Sequence, residues 1–151
     1  MSQTLAKMKA DEREDRKRIL LSATANLLES KDPGQIRIKD ITGSLKISTA
    51  TMYRYFESKD AIFLEFLKRK ADRFTKVENE NSSELMNYFN DNKDVQDLLL
   101  YFTGNQRSLS SEQKNAFNAI RTIFFGGSDG SSEINMHLIK SGLTITHEQH
   151  L

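Results

Sequence analysis

Cysteine and tryptophan are absent from the 151-residue sequence, which has only one proline and seven glycines. Without cysteine the chain has no disulfide, no thiolate zinc site and no cysteine nucleophile. Long apolar runs are lacking too: none approaches the roughly 20 residues that a membrane-spanning helix needs, and the polar N-terminus does not resemble a signal peptide. The scarcity of proline and glycine favours helices. We therefore expect a helical, cytoplasmic protein with no membrane partner.

Net charge is almost absent as well, because 22 basic residues balance 21 acidic ones. The distribution is uneven: residues 1–80 carry 17 basic and 13 acidic residues, a balance of +4, whereas residues 81–151 carry 5 and 8, a balance of −3. A basic front half suits contact with a polyanion. A split of this size also arises by chance, so it supports such a function without establishing it.

Apolar periodicity predicts a first helix, in which Ile19, Ala23 and Leu27 form a stripe that Leu20 and Leu28 widen. The sequence Lys-Asp-Pro-Gly, which contains the only proline, ends this helix.

The charged segment before this helix, residues 1–18, has two interpretations. It either forms a solvated extension of the helix or serves as an arm whose cations add phosphate or minor-groove contacts. The cations concerned are Lys7, Lys9, Arg13, Lys17 and Arg18. The acidic residues between them argue against tight DNA binding by the whole segment.

Three further helices are predicted in the first half: one at 37–45, a short one with Ser48 as its N-cap, and a long one from Ser58 to about Glu78. The polar stretch 79–84 is the expected internal joint. Beyond it we expect helices near 83–90, 94–103, 111–125 and 133–141.

Two short helices joined by a tight turn, the second opening on small polar residues, form the pattern of a helix-turn-helix. A helix that enters the major groove needs short, hydrogen-bonding residues at its start. The candidates for base contact are Ser48, Thr49, Ala50 and Thr51. The candidates for phosphate contact, which fix the docking register, are Tyr53, Arg54, Tyr55 and Lys59. Of the two tyrosines, we expect one to contact phosphate and the other to be partly packed.

The most specific stretch runs from Ile47 to Lys59 and reads Ile-Ser-Thr-Ala-Thr-Met-Tyr-Arg-Tyr-Phe-Glu-Ser-Lys. It resembles the TetR-type (TetR/AcrR) bacterial transcriptional regulators. The basic-Asp-Ile sequence at 39–41 is similar to the start of the second helix in that family. The likeness extends from about Arg18 to Phe66.

The resemblance implies an all-α fold, with an N-terminal three-helix helix-turn-helix DNA-binding domain linked by a long fourth helix to a small helical dimerisation or effector domain. We expect a charged extension at 1–18, the DNA-binding domain at 19–65 and the second domain at 66–151. The resemblance also implies a homodimer that acts on a near-palindromic operator in double-stranded DNA, most simply as a repressor.

The same resemblance implies roles for single residues. Lys39 and Tyr55 lie at or near DNA, together with the hydroxyl residues that open the third helix, and Lys59 lies on a phosphate. Met52 and Phe56 belong to the core instead, where they hold the third helix in place.

Three positions depart from the family pattern. Lys46 stands where the turn usually has glycine, so a non-glycine residue is expected at positive φ. Leu45 replaces a small residue where the second and third helices cross, and is expected to widen that contact. Arg37 takes the place of a capping Ser or Thr and is itself able to reach phosphate.

Family members usually carry a longer second domain, which dimerises through its last two helices and encloses a small-molecule pocket. In this sequence a reduced dimer interface is expected from Phe117, Ile120, Phe124, Ile134, Leu138 and Ile139. The sequence leaves open whether a pocket for a small-molecule inducer remains. The aromatic residues that either line such a pocket or form core are Tyr88, Phe89, Tyr101, Phe102, Phe117, Phe124 and Phe125.

Nothing in the sequence resembles a nucleophile–base pair or a closed metal site, so we expect neither an enzyme nor a cofactor. His137, His147 and His150 lack further ligands nearby, and the Gly126–Gly130 loop has no Walker lysine. Two alternatives to an inducible repressor stay open. One is a ligandless architectural DNA-binding factor of the same fold, and the other is a helical protein–protein adaptor.

Overall fold

The computed structural model describes residues 2–77 and 91–125, and within these ranges the chain is all-helical with no strand. The α-helices are α1 (Ser2–Leu28), α2 (Ile38–Leu45), α3 (Thr49–Tyr53), α4 (Lys59–Val77), α5 (Lys93–Gly104) and α6 (Ser111–Phe125). Short 3-10 helices lie at Pro33–Gln35 and Gln106–Ser108. No described helix combines the length and the apolar character needed to cross a membrane.

The helices predicted at 37–45, after Ser48, after Ser58, near 94–103 and at 111–125 are all present. The charged N-terminal segment is helical and continuous with the rest of α1. Contact of its cations with DNA stays a prediction. The predicted joint at 79–84 and the helices near 83–90 and 133–141 fall outside the described residues.

Of the described residues, those up to Ile62 form one compact unit, and those from Phe63 to Phe125 form another. In the first unit, α1 packs on α2 and α2 packs on α3. The core of this unit consists of Leu20, Leu21, Ala23, Leu28, Ile36, Ile41, Met52, Phe56 and Ile62.

One detail of the predicted apolar stripe on α1 is wrong. Ile19 is 54% exposed, whereas Leu20 and Leu28 are buried together with Thr24, which the periodicity had not included. The buried face is therefore centred on positions 20, 24 and 28, a spacing of four residues that lies on one side of a helix. Thr24 is tolerated there because its hydroxyl donates to the Leu20 carbonyl at 2.9 Å.

The turn between α2 and α3 has the left-handed residue that the sequence predicts. Lys46 has φ 57° and ψ 42°, at a cost of about 1–2 kcal/mol for a side chain with a Cβ. In return, the amide of Ile47 donates to the Thr42 carbonyl at 3.1 Å, which closes the end of α2. Leu45 is half-buried and, with Ile19 and Leu27, lines an open groove beside α1.

The second unit has an aromatic core. Phe74 packs against Phe124 with ring centroids 5.1 Å apart, and Phe102 packs against Phe117 at 5.3 Å. Tyr101 lies edge-on to the Phe102 ring at 5.1 Å. Among the described aromatics, these contacts favour the interpretation as core over that as a cavity lining.

The predicted dimer interface is only partly within the described residues. Phe117, Ile120 and Phe124 are buried within their own unit, so they attach α6 to the core and are not available to a second copy. The exposed side of α6 carries Asn115, Ala119 and Thr122 instead. The other three predicted interface residues, Ile134, Leu138 and Ile139, lie outside the described residues.

Candidate nucleic-acid interface

The start of α3 is held by a side-chain cap. The Ser48 hydroxyl accepts a hydrogen bond from the Thr51 amide at 3.1 Å and lies 2.9 Å from the Thr51 hydroxyl. Ser48 has the extended backbone of an N-cap, with φ −81° and ψ 157°. Two of the four residues predicted to read bases are thus also needed to start the helix.

The two sides of α3 differ in burial. Met52 is fully buried and Phe56 is 7% exposed, as the resemblance implies, so this side attaches α3 to the core. Thr49, Ala50 and Tyr53 face solvent, with Tyr53 51% exposed. A helix fixed on one side and bare on the other presents short polar groups and a phenol outward.

The start of α2 is capped from its own first turn. The Asp40 carboxylate accepts the Arg37 amide at 2.9 Å and lies 3.3 Å from the Lys31 ammonium. The hydrogen bond from the Arg37 amide, followed by that from Lys31, lowers the pKa of Asp40 below its ordinary value. Arg37 has no side-chain acceptor with which to complete a capping box, and its own side chain faces solvent. Lys39 is exposed beside it.

Lys59, predicted to contact a phosphate, is half-buried in the first unit. Its ammonium donates to the Ile36 carbonyl at 3.0 Å and to the Pro33 carbonyl at 3.4 Å. The charged group thus satisfies the backbone after the 3-10 helix at Pro33–Gln35. A phosphate contact by Lys59 stays a prediction, and the residue has a structural function in any case.

The end of α3 is contacted by basic residues of the N-terminal helix. The Arg13 guanidinium donates to the Arg54 carbonyl at 3.0 Å and lies over the Tyr55 ring, 5.2 Å from its centroid. Arg16 donates to the Tyr55 hydroxyl at 3.3 Å. That hydrogen bond is the main cause of a raised pKa of Arg16, which remains charged at any physiological pH. Lys17 lies 5.6 Å from the centroid of the Phe56 ring.

Tyr55 is therefore the partly packed tyrosine of the pair, and Tyr53 is the exposed one. Sequence reasoning named Arg13 and Lys17 only as cations of an arm and gave Arg16 no role. The missed signal was helical spacing: positions 13, 16 and 17 continue toward the N-terminus the face on which Leu20 and Thr24 are buried.

The resulting surface suits a polyanion that also exposes hydrogen-bonding groups, as the base edges of duplex DNA do. Hydroxyls and a methyl project from the first turn of α3, and the phenol of Tyr53 and the guanidinium of Arg54 follow. In the part of the chain that the structure describes, the side chains of Lys39, Tyr53 and Arg54 have no intramolecular hydrogen bond or ion pair. Phosphates attract cations such as Lys39 and Arg54, and the phenol of Tyr53 is able to donate a hydrogen bond to a phosphate oxygen. Short polar groups on a helix reach base edges in the major groove.

No metal centre is formed within residues 2–77 and 91–125, where no three His, Asp or Glu side chains cluster. The three histidines considered in the sequence lie outside these ranges. The described part of the chain therefore offers the surface around α3 as its candidate site.

The comparisons with known proteins concern the domain that contains α3 and the fold of the chain. Residues 20–66 match the family model described as bacterial regulatory proteins, tetR family. Among solved structures, the chain is similar to a tetR-family transcriptional regulator from Streptomyces coelicolor, with a TM-score of 0.56 and 16% sequence identity. The match covers 89% of this chain and 68% of that one. The comparison with curated proteins gives no match.

Proposed function

Because residues 20–66 match the model of the tetR family of bacterial regulatory proteins, we propose that the protein is a DNA-binding transcriptional regulator and acts as a dimeric repressor. It occupies a near-palindromic operator and blocks access to the promoter. Its place of action is the cytoplasm, and it catalyses no reaction. The fold shared with a solved tetR-family regulator supports the same architecture.

The observation that carries the proposal is the two-sided environment of α3. Met52 and Phe56 fix one side in the core, while Thr49, Ala50 and Tyr53 face solvent. A recognition helix needs this combination, because base readout requires short side chains that are held in a fixed register.

In the proposed complex, the residues divide into two groups. Ser48, Thr49, Ala50 and Thr51 approach base edges and contribute sequence preference. The phosphate contacts, which contribute affinity and register, come mainly from the exposed residues Arg37, Lys39, Tyr53 and Arg54. Tyr55 and Lys59 support this surface through their contacts within the first unit.

The proposed dimer interface lies in the region of α6 and residues 133–141. Phe117, Ile120 and Phe124 stabilise α6 within its own unit, and outward-facing residues of the same helix make the contact with the second copy. Two copies related by a two-fold axis place their α3 helices in successive major grooves, one helical turn of DNA apart.

The test is selection of bound sequences from random duplex DNA by the full chain. We expect an enriched palindrome whose half-sites are centred about 10 base pairs, or a multiple of a helical turn, apart. Affinity for the selected site should fall steeply with salt, because bound cations displace counterions from the DNA. No enrichment, together with salt-independent binding, would favour the protein–protein adaptor.

Thr49→Ala is the sharpest variant for base readout, because the Thr49 side chain is exposed and makes no described intramolecular contact. We expect an altered preference at one operator position, worth about 1–3 kcal/mol, with unchanged stability. Thr122→Ala, an exposed threonine on α6, is the matched control. An identical selected sequence for Thr49→Ala would contradict the assignment of the reading residues.

A second candidate, the ligandless architectural factor, is favoured by one observation. Phe74, Phe102, Phe117 and Phe124 are buried against one another, so these rings have partners without a ligand. A screen for small molecules that weaken operator binding separates the two candidates. A molecule that lowers operator affinity in proportion to its own occupancy would establish an inducible repressor.

A further inference from the structure

We propose that Arg13 and Arg16 are positioning residues, which hold the C-terminal end of α3 in the orientation required for DNA binding. The inference deepens the proposed function. It gives the charged N-terminal helix a specific task, namely to act as a buttress for the recognition helix.

The contacts converge on two consecutive residues. Arg13 donates to the Arg54 carbonyl at 3.0 Å, and its guanidinium lies over the Tyr55 ring. Arg16 reaches the hydroxyl of the same ring at 3.3 Å and is itself held by Glu12 at 2.6 Å. Tyr55 is thereby contacted on its face and at its hydroxyl by two residues one helical turn apart.

α3 needs such support because it has only five residues. A helix of this length is unstable by itself, and its last carbonyl groups have no partner within the helix. Arg13 supplies a donor to the carbonyl of Arg54, the residue that directly follows α3. Both arginines also contact the side chain of Tyr55, the residue after Arg54, and so restrict its position.

The same geometry argues against direct phosphate contacts as the main task of these two arginines. Both guanidinium groups are already engaged by acceptors of the first unit, and Glu12 neutralises Arg16. The buttress also lies outside the family match, which begins at residue 20.

The experiment compares Arg13→Gln and Arg16→Gln with Arg107→Gln in the full chain. Arg107 is exposed in the second unit and is not a candidate for DNA contact, so its replacement makes the same change in charge without touching α3. We expect Arg13→Gln to lower affinity for the selected operator about tenfold, with a salt dependence equal to that of the parent. In the free protein, amide exchange at residues 54–56 should become faster, while Arg107→Gln changes neither quantity.

Two further variants separate positioning from charge. Arg13→Lys keeps the charge but loses the planar group that both stacks and donates, so we expect it to behave like Arg13→Gln. Combining Arg16→Gln with Tyr55→Phe should cost no more than the larger single effect, because both changes break the same hydrogen bond. Two results would overturn the proposal in favour of a direct phosphate contact. One is parental affinity in Arg13→Lys, and the other is a salt slope for Arg13→Gln that is lower than that of the parent by about one phosphate contact.

The two readouts distinguish failure of this inference from failure of the proposed function. If amide exchange at residues 54–56 is faster in Arg13→Gln but the parent binds no DNA, the positioning role is supported and the proposed function is contradicted. If the parent binds the operator and Arg13→Gln changes neither the affinity nor the amide exchange, the positioning role is contradicted and the proposed function is supported.

Discussion

Basic residues around α3 differ in burial, and we expect their functions to differ accordingly. Lys39 and Lys59 are both basic residues expected at DNA, yet Lys39 is exposed and Lys59 donates to two backbone carbonyls. A lysine that satisfies buried carbonyls contributes to stability, whereas one in water contributes to binding only when a phosphate arrives.

Replacing each lysine in turn tests this distinction. We expect Lys59→Ala to lower the free energy of unfolding by about 1.5–3 kcal/mol, because hydrogen bonds from a charged donor are lost. Lys39→Ala should leave stability unchanged and weaken binding to all DNA sequences, with a salt slope lower by about one phosphate. Urea denaturation and binding titrations at several salt concentrations measure both. Equal stability losses in the two variants would contradict the assigned roles.

At the scale of elements, α3 is capped by Ser48 at its start and is contacted by Arg13 of α1 at its end. The start of α2 is capped by the Asp40 carboxylate. These short helices carry few hydrogen bonds of their own, so each end contributes a large share of their stability. Ser48, which caps α3, also lies on the surface proposed to meet DNA.

Ser48 caps α3 and is proposed to approach DNA, and two substitutions separate these roles. Ser48→Ala should lower stability by about 1 kcal/mol, because the Thr51 amide loses its acceptor. Ser48→Asp keeps a capping oxygen and should preserve stability, but it places a negative charge against the DNA and should abolish binding. Thermal denaturation and operator titration give the two quantities. Retained operator affinity in Ser48→Asp would show that this end of α3 does not approach DNA.

Acid should weaken the start of α2 through Asp40. Its pKa is lower in the folded protein than its ordinary value of 3.8, because the Arg37 amide and Lys31 stabilise the carboxylate. The carboxylate therefore stabilises the fold above pH 3.8, and this contribution is lost as the pH falls through the lower folded pKa. We expect the stability difference between the parent and Asp40→Asn to be greatest near neutral pH and to shrink below pH 3.8. A difference that is constant from pH 7 to pH 3 would contradict this assignment.

At the scale of the whole molecule, each compact unit has its own core. The first contains aliphatic residues with Met52 and Phe56, and the second is built on packed aromatic rings. α6 is buried on one side and exposed on the other, so core packing and self-association are expected to depend on different residues of one helix.

The two sides of α6 give the corresponding prediction. Phe117→Ala should destabilise the protein by about 3–5 kcal/mol, because it opens a cavity beside Phe102. Ala119→Arg, on the exposed side, should leave the unfolding free energy of the subunit nearly unchanged but dissociate the proposed dimer. Analytical ultracentrifugation and denaturation measure these effects. A chain that stays dimeric in Ala119→Arg would place the interface elsewhere.

Much of the fold followed from local chemistry that the sequence displays. The Ser48 cap, the Ser58 cap, in which the hydroxyl accepts from the Ala61 amide at 3.1 Å, and the left-handed Lys46 are set by interactions within a few residues along the chain. The burial of Met52 and Phe56 follows from the family resemblance instead. The residues proposed to face DNA follow from the same pattern, since a capped helix with one apolar side leaves Thr49 and Tyr53 exposed.

The tertiary structure alone decided the contacts between residues distant in sequence. Arg13 and Arg16 meet Arg54 and Tyr55 across about forty positions, and Lys59 meets the Ile36 carbonyl across 23. Periodicity identifies the face of a helix but not the residue opposite it, because that depends on how the helices pack. For the same reason Ile19 was expected in the core and lies in solvent: a rotation of α1 by one residue position changes which side chains meet α2.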